Sequence, residues 1–337
     1  MDQIRLGLLG CGKVGQKHLQ ALVHQKDFKL VATADIDLER AQAAAVAFDA
    51  QAYASLEDLL AGSAIDAIVI AVPSGLHRDL GEKALQARVH VMIEKPLTLR
   101  YADAHALVEL SKKMQRQLAV TQFSRFIPAI ADMMAAVHAG RLGQMVTGGI
   151  TVHWARPQSY YEDAPWRGNY ALDGGVLFDQ ALHALDVLVQ TMGPVDEVFA
   201  ATGALTHQDT VEDTAVGSLR FASGALATLS ATTSVPQKNL EERVTVIGES
   251  GVIVIGPTLQ QIQTWRVAGD NEENVCQMNE ERPNRPSWQS HADALSDWAE
   301  AIYGIAPLAL SAESTMETIA VAEALALSAQ NGRPMKV

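Results

Sequence analysis

Short apolar runs alternate with amphipathic segments through the first third of the chain. Apolar runs that end in glycine, proline or a polar residue are typical of buried parallel strands. The stretches between them repeat apolar residues every three or four positions, as helices that pack on a sheet do. The pattern predicts strands at residues 4–9, 30–35, 66–72, 90–93 and 118–123, and helices at 14–24, 38–48, 76–87 and 101–114.

The second half of the chain has a different pattern of apolar and polar residues. Longer segments alternate apolar and polar residues, and hairpin turn sequences such as Ala222-Ser223-Gly224 separate some of them. The pattern predicts strands at 144–154, 197–204, 213–221, 225–233, 243–247 and 252–255, and helices near 130–138, 291–303 and 313–330. We therefore predict an α/β protein with a doubly wound parallel sheet of the Rossmann type over residues 1–123. An α+β domain with an open, mostly antiparallel sheet then covers residues 124–337.

Composition and charge narrow the class of function. Asp and Glu number 39 against 26 Lys and Arg, which gives a formal net charge of −13. A surface this negative disfavours nucleic acid and anionic lipid as partners, although a local basic pocket could still hold an anionic substrate. Cys11 and Cys276 give no disulfide framework, and no apolar run is long enough to span a bilayer. We expect a cytoplasmic protein with neither a nucleic-acid nor a membrane partner.

A glycine-rich turn follows the first predicted strand. Gly10, Gly12 and Gly15 form a GxGxxG pattern between a strand and a helix, which is the context of a dinucleotide-binding turn. The first glycine allows a tight turn, the second lets a pyrophosphate approach the backbone, and the third lets the helix pack on the strand. Lys13 and Val14 begin the helix, and we assign them to cofactor binding as well.

Asp35 ends the second predicted strand, twenty residues after Gly15. A carboxylate at this place accepts hydrogen bonds from the adenosine ribose hydroxyls and repels a 2′-phosphate, which favours NAD over NADP. The positive charge of Lys13 is an opposing signal because it could offset such a phosphate. NAD is the predicted cofactor, and NADP remains the alternative.

Two motifs follow the ends of the strands at 66–72 and 90–93. Ligands of open α/β sheets bind beyond such carboxyl ends, so we place both motifs at the cofactor crevice. The ammonium group of Lys95 could hold a substrate oxygen there, and its bond to Pro96 could be cis. A surface lysine is the alternative interpretation. The residues assigned to this crevice are Val72, Pro73, Ser74, His77, Glu94 and Lys95.

A glycine pair at 174–175 precedes a strongly apolar segment. Drawn as one continuous helix, the segment has a narrow polar stripe of Asp179, His183, Asp186 and Gln190. A carboxylate one turn from an imidazole fixes its tautomer and raises its basicity, as a general base requires. A structural His–Asp pair on a solvated face is the alternative.

These motifs together resemble the glucose–fructose oxidoreductase, inositol dehydrogenase and rhizopine-catabolism family, written Gfo/Idh/MocA. The resemblance covers essentially the whole chain. It implies that Lys95 binds and polarises the reacting oxygen, that His183 takes the hydroxyl proton, and that Asp179 orients the histidine or the substrate. It also implies a homodimer or homotetramer formed through the second sheet.

The segment 156–172 is the best indication of the substrate. It resembles the corresponding segment of enzymes acting on nucleotide sugars, such as UDP-N-acetylglucosaminuronate 3-dehydrogenases. Its arginines could bind a carboxylate or phosphate, and its aromatic rings could stack on a sugar or base or simply pack beneath the loop. Those enzymes often have Asn where this chain has Asp179, whereas inositol-type members have Asp. The residues assigned to the substrate are Lys95, Arg125, Arg156, Tyr160, Trp166, Arg167, Asp179 and His183.

Two departures from the family pattern concern substrate fit more than hydride transfer. Val176 stands where many members have a third glycine, and Ser124, ahead of Arg125, stands where many have an amide. The sequence thus predicts an NAD-dependent dehydrogenase, without a metal, for a secondary hydroxyl of a sugar, nucleotide sugar or polyol. An NAD-using glycosidase that oxidises C3 transiently is one alternative. A non-enzymatic nucleotide-sensing regulator is the other, although such proteins tend to lose the catalytic Lys or His that this chain retains.

Overall fold

The computed structural model describes residues 2–208, 211–270, 275–282 and 284–337. The chain divides into two compact units. The first unit consists of Met1–Phe123 and Pro286–Met316, and the second of Ser124–Arg285 and Glu317–Val337. The sequence predicts a domain boundary after residue 123 and assigns residues 286–316 to the second domain, whereas the first unit includes this later segment.

The first unit is built on a parallel sheet, which confirms the predicted Rossmann type. Its strands lie in the order β3-β2-β1-β4-β5-β6, so the order reverses between β1 and β4, where ligands of such sheets bind. The short edge strand β3 was not predicted. The strands are β1 (Ile4–Leu9), β2 (Phe28–Ala34), β3 (Gln51–Tyr53), β4 (Ala67–Ile70), β5 (His90–Ile93) and β6 (Leu118–Val120).

Helices connect these strands, and two of them, α2 and α3, begin at a polar side chain that caps the helix. The carboxylate of Asp37 accepts backbone N–H bonds at the start of α2, and Ser55 Oγ accepts one from Asp58 at 3.1 Å at the start of α3. The helices are α1 (Lys13–Leu22), α2 (Leu38–Val46), α3 (Leu56–Gly62), α4 (His77–Gln86) and α5 (Tyr101–Met114).

The second unit contains a sheet of eight strands in the order β13-β12-β11-β7-β10-β9-β8-β14. The pairing of β10 with β7 is parallel and the other pairings are antiparallel, as the alternating pattern predicted. The strands are β7 (Met145–His153), β8 (Val195–Gly203), β9 (Thr214–Phe221), β10 (Leu226–Thr232), β11 (Glu241–Gly248), β12 (Gly251–Ile255), β13 (Ile262–Val267) and β14 (Met335–Lys336).

One face of this sheet is buried and carries apolar side chains, including Ile150, Val152 and Leu229. Helix α9 packs on β7 and β11 at this face. None of the helices in the described part of the chain has the length and apolarity that crossing a membrane requires. The remaining helices are α6 (Pro128–His138), α7 (Gln158–Glu162), α8 (Gly175–Asp179), α9 (Leu182–Met192), α10 (Val275–Glu281), α11 (Ser287–Ile302) and α12 (Ala312–Asn331).

The segment Pro286–Met316 packs in the first unit, which corrects its predicted placement. Helix α11 lies against α1, and the indole of Trp298 is buried with its ring stacked on Phe28 at 5.5 Å between centroids. The carbonyl of Leu310 accepts a hydrogen bond from Val120 N at 2.9 Å and so continues the edge of the parallel sheet. The segment therefore lies in the unit where its large aromatic ring is buried, although it follows the strands of the second unit along the chain.

Candidate functional site

The glycine turn between β1 and α1 is shaped by backbone contacts. Gly10 has φ +91°, and a Cβ there would lie 2.2 Å from Ala71 O. A Cβ on Gly15 would lie 2.1 Å from Gly10 O, whereas one on Gly12 would meet nothing within 4 Å. The first and third glycines are therefore needed for close packing, and the second borders open space.

The N-terminus of α1 faces that open space. Gly12 is its N-cap residue, and no described side chain caps the first N–H groups of the helix. Lys13 and Val14 occupy the first turn and are exposed. Uncapped N–H groups and the positive end of the helix dipole favour an anion at this place.

The carboxylate of Asp35 is fixed at the end of β2. Its Oδ2 accepts a hydrogen bond from Cys11 N at 2.8 Å, and its Oδ1 accepts one from Asp37 N at 2.9 Å. Each oxygen keeps lone-pair capacity for a further donor. Burial, together with the charge of Asp35, raises the pKa of Cys11 to about 12, so this thiol is neutral and unreactive.

His77 follows β4 but lies behind the turn rather than at its surface. Val72 and Pro73 are half-buried, and Ser74 begins a short 3-10 turn. The ring of His77 is buried, with Nδ1 2.7 Å from Pro96 O and Nε2 2.9 Å from Val72 O. Burial lowers the pKa of His77 and favours a neutral ring. The ring thus joins two backbone segments, and the assignment of His77 to the cofactor stays a prediction.

The Glu94-Lys95-Pro96 turn follows β5, and its Lys95–Pro96 bond is cis, as predicted. Lys95 is half-buried. Glu94 is only 7% exposed, and its Oε1 lies 2.7 Å from Nε2 of the buried His18. The assignment of Glu94 to the cofactor stays a prediction. This carboxylate points into the first unit.

In the second unit, the predicted single helix is two helices. Helix α8 ends at Asp179 and α9 begins at Leu182, because the N–H groups of Gln180 and Ala181 both donate to Val176 O. Because the two N–H groups share one acceptor, the turn is wider there and the regular helical hydrogen bonds end. Asp179, at the end of α8, and His183, in the first turn of α9, are both half-buried.

Asp186 and Arg125 form a buried ion pair. Arg125 Nε and Nη2 each donate to one oxygen of Asp186 at 2.7 Å, and Thr318 Oγ1 donates to Asp186 Oδ1 at 2.9 Å. Asp186 therefore does not belong to a half-exposed polar stripe with Asp179 and His183. The guanidinium of Arg125 is bound bidentately to this carboxylate, and its assignment to the substrate stays a prediction.

Two arginines surround Tyr160 in α7. The guanidinium carbon of Arg167 lies 4.1 Å from the Tyr160 ring centroid, and its Nη1 donates to Tyr160 O at 2.8 Å. The guanidinium carbon of Arg156 lies 5.3 Å from the same ring. Arg167 also lies over Trp166, at 5.3 Å. The structure thus brings together the four residues that the segment 156–172 contributed to the predicted substrate site.

The cluster around Tyr160 extends to Asp179. The Tyr160 hydroxyl donates to Asp179 Oδ2 at 3.4 Å, and Gln180 Nε2 donates to the same oxygen. Arg156 Nη2 in turn donates to Gln180 Oε1 at 3.0 Å. Burial raises the pKa of Tyr160 to about 12, so its hydroxyl remains a donor. Gln180 was not predicted, and its position next to Asp179 was the one signal that could have found it.

Glu212 is a second residue that the sequence analysis missed. Its side chain lies against Gly175, which has φ +81°, so that a Cβ on Gly175 would be 2.1 Å from Glu212 Oε1. Its carbonyl accepts a hydrogen bond from Val176 N at 3.2 Å. Burial, reinforced by the charges of Asp173 and Asp213, raises the pKa of Glu212 from 4.5 to about 7.

The family models match both halves of the chain. Residues 4–122 match the oxidoreductase family with an NAD-binding Rossmann fold, and residues 130–254 match the GFO/IDH/MocA C-terminal domain. The chain belongs to the Gfo/Idh/MocA oxidoreductase family. The predicted family is thereby confirmed, and the first unit of this oxidoreductase is an NAD-binding Rossmann domain.

Similar proteins include solved and characterised members of the family. The WlbA dehydrogenase from Bordetella pertussis, solved with NADH and UDP-GlcNAcA, is 31% identical with a TM-score of 0.95, and the match covers 99% of this oxidoreductase and 98% of that chain. A myo-inositol 2-dehydrogenase from Thermotoga maritima is 28% identical over 74% of each chain. A scyllo-inositol 2-dehydrogenase (NAD(+)) from Bacillus subtilis is 26% identical, over 99% of this chain and 96% of its own.

The raised pKa of Glu212 predicts a pH-dependent effect of Glu212→Gln on stability. The folded protein holds the proton more tightly than the unfolded chain, so ionisation destabilises the fold increasingly as the pH rises from 4.5 to about 7. The amide does not ionise. We expect the variant to unfold about 2–4 °C above the wild type at pH 8, and the difference to vanish near pH 4.5.

Thermal unfolding followed by circular dichroism at several pH values checks this expectation. Glu249→Gln, in the exposed turn between β11 and β12, is the matched control and should show no such pH dependence. A Glu212→Gln difference that is the same at every pH would contradict the proposed protonation of Glu212.

Proposed function

We propose that this oxidoreductase is an NAD-dependent dehydrogenase of a nucleotide-linked sugar acid of the UDP-N-acetylglucosaminuronate type, and that it oxidises the C3 hydroxyl. One observation carries the proposal: the likeness to the Bordetella pertussis WlbA dehydrogenase, whose structure holds NADH and UDP-GlcNAcA, extends over 99% of this chain. The cationic and aromatic cluster of Arg156, Tyr160 and Arg167 is suited to an anionic sugar, since guanidinium groups bind carboxylates in preference to neutral hydroxyls.

The first unit has the features that a dinucleotide requires. Open space at Gly12 and the uncapped start of α1 suit the pyrophosphate, with Lys13 and Val14 beside it. The fixed carboxylate of Asp35 suits the ribose hydroxyls. We assign Val72, Pro73 and Ser74, which follow β4, to the same cofactor. When bound, NAD supplies the hydride acceptor.

The proposed chemistry needs a cation, a base and an orienting carboxylate. The ammonium of Lys95 holds the reacting oxygen and stabilises the negative charge that develops on it. The imidazole of His183 takes the hydroxyl proton as general base. Asp179, which the Tyr160 hydroxyl and Gln180 already fix, orients His183 or the sugar. Trp166 and Tyr160 offer ring faces to the sugar or base.

We also propose that the protein is a homodimer or homotetramer built on the uncovered face of the second sheet. Phe199, Val216 and Leu226 project from that face and are 44%, 50% and 55% exposed. Strand register places them on one side. Phe199 pairs with Ser218 and Leu226 pairs with Arg220, and both partners lie an even number of residues after Val216 on β9, so they share its face. An apolar face of this kind favours association. Light scattering of the purified protein tests it.

Asp35 provides a test of the cofactor assignment. We expect Asp35→Ser to lower kcat/KM with NAD by about ten-fold or more and to raise the relative use of NADP, because the ribose acceptor and the repulsion of a 2′-phosphate are both removed. Steady-state kinetics with each cofactor measure the ratio. Glu39→Ser removes the same charge from the exposed side of α2 and serves as the control. If the ratio of kcat/KM with NAD to kcat/KM with NADP were the same in Asp35→Ser as in the wild type, the assignment would be refuted.

A substrate panel tests the proposed function directly. The protein is mixed with NAD and with UDP-N-acetylglucosaminuronate, UDP-N-acetylglucosamine, myo-inositol or scyllo-inositol, and the absorbance of the reduced cofactor is followed. The sugar acid should react fastest, and the analogue without the carboxylate should lose about ten-fold or more in kcat/KM. Reaction with the inositols alone would assign a polyol substrate instead. Release of UDP without accumulation of reduced cofactor would indicate cleavage by transient oxidation.

A further inference from the structure

Three buried histidines of the first unit surround the turn that carries Lys95. His18 comes from α1, His77 from α4 and His291 from α11, and each is almost without exposed surface. Burying an imidazole is costly unless its nitrogens are hydrogen-bonded. The contacts of these rings therefore indicate what the buried polar groups do.

Glu94 links two of the histidines to Lys95. Its Oε1 accepts a hydrogen bond from His18 Nε2 at 2.7 Å, and His291 Nε2 lies 3.7 Å from the same oxygen. Its Oε2 faces Lys95 N at 3.3 Å. The rings of His18 and His291 meet edge to face at 4.9 Å. The carboxylate is thus held between two helices and the backbone of the turn.

The charge on Glu94 is maintained by the same groups. Burial acts to raise the pKa of Glu94, but the hydrogen bond from His18 and the charges of His18, His291 and Lys95 lower it to about 2. The group therefore stays an ionised carboxylate over the working range of an enzyme. His77 holds the other end of the turn through Pro96 O.

A metal ion is the alternative use of such a cluster, because ligand atoms of His18, Glu94 and His291 all lie within 4.8 Å of one another. Two ligands at about 2.0–2.1 Å from a tetrahedral zinc ion are about 3.3 Å apart. The 2.7 Å between His18 and Glu94 is instead the length of a charge-assisted hydrogen bond. The geometry favours a shared proton over a shared ion.

We propose that His18 is a positioning residue, which through Glu94 fixes the Glu94-Lys95-Pro96 turn and so holds the Lys95 ammonium where the reacting oxygen binds. The inference rests on the role proposed for Lys95. Since His18 lies in α1, the same bond ties Lys95 to the helix whose N-terminus we assign to the pyrophosphate. Neither His18 nor Glu94 needs to touch a ligand for this purpose.

Two substitutions at His18 separate positioning from packing. His18→Leu removes the donor to Glu94, whereas His18→Gln keeps an N–H near the position of Nε2. We expect kcat to fall about ten- to hundred-fold in His18→Leu, with the NAD Kd within about three-fold of the wild type, and His18→Gln to regain most of kcat. Gln20→Leu, on the exposed side of α1, controls for the added leucine.

A readout that does not depend on turnover accompanies the kinetics. The amine of Lys95 is labelled with an acylating reagent and quantified by peptide mass spectrometry, with the exposed Lys29 as the internal reference. Its relative labelling rate should change by about three-fold or more in His18→Leu and return in His18→Gln, because the environment of the ammonium depends on the turn. Cooperative thermal unfolding verifies that each variant is folded.

The possible results are distinct. Wild-type kcat and labelling in His18→Leu would overturn the inference, and so would equal losses in His18→Leu and His18→Gln. A loss of NAD affinity that matches the loss of kcat would place His18 in cofactor binding instead. One equivalent of zinc in the wild type that is lost in His18→Leu would identify a metal site. If the wild-type protein oxidised no sugar but Lys95 labelling still changed in His18→Leu, the proposed function would be wrong and the positioning role would remain.

Discussion

Lys95→Ala should lose about a thousand-fold or more in kcat for sugar oxidation while binding NAD within about three-fold of the wild-type Kd. The ammonium is the cation assigned to the alkoxide that develops during proton removal, and a preorganised charge of this kind contributes most to the chemical step. The glycine turn and Asp35, which we assign to the dinucleotide, are unaffected by the substitution. Steady-state kinetics and a fluorescence titration with NAD measure the two quantities.

Lys83→Ala is the matched control for this substitution. Lys83 lies in α4 of the same unit and is exposed, with its ammonium bonded to Glu57 at 2.6 Å. Its removal should leave kcat and the NAD Kd unchanged. If Lys95→Ala kept more than about a tenth of the wild-type kcat, a general electrostatic role for this lysine would no longer be tenable.

Asp186→Ala should lower the free energy of unfolding by about 3–5 kcal/mol. The substitution leaves the guanidinium of Arg125 buried without its carboxylate, and Thr318 loses an acceptor. Because Asp186 lies in α9 with His183, a protein that folds less completely should also be less active in proportion. Urea denaturation followed by circular dichroism measures the change.

The double variant Arg125→Met with Asp186→Leu is the control for this prediction. It replaces the ion pair by apolar side chains. The free energy of unfolding should fall much less than in Asp186→Ala, because no charge is left unpaired. A double variant as unstable as Asp186→Ala would mean that packing rather than the unpaired charge determines the loss. An Asp186→Ala variant as stable as the wild type would contradict the burial of the pair.

The sequence determined the type and order of most elements, because each relies on a local pattern. Strands β1, β2, β4 and β5 are apolar runs closed by turn residues, and the turn at Gly10 to Gly15 requires a strand before it and a helix after it. The position of α11 could not be predicted in the same way. Its periodicity shows that it packs, but the ring that Trp298 stacks on belongs to Phe28, far away along the chain.

The sequence predicts the motifs of the site better than it predicts the role of each residue within them. His77, Glu94 and Arg125 were all expected to contact a ligand, and all three side chains are bound to other parts of the protein. A polar residue after a buried strand serves equally well as a ligand contact or as a buried support, and sequence does not separate the two. The break at Gln180 was hidden for a similar reason, since apolar periodicity continues across it.

The measurement that tests the central claim most directly follows a deuterium atom. UDP-N-acetylglucosaminuronate carrying deuterium at C3 is incubated with the protein and NAD, and the cofactor is analysed by mass spectrometry. The proposed reaction predicts reduced cofactor that contains the deuterium together with a keto sugar, and neither product with Lys95→Ala or His183→Ala. Unlabelled reduced cofactor, or no reduction of NAD by this sugar, would contradict it.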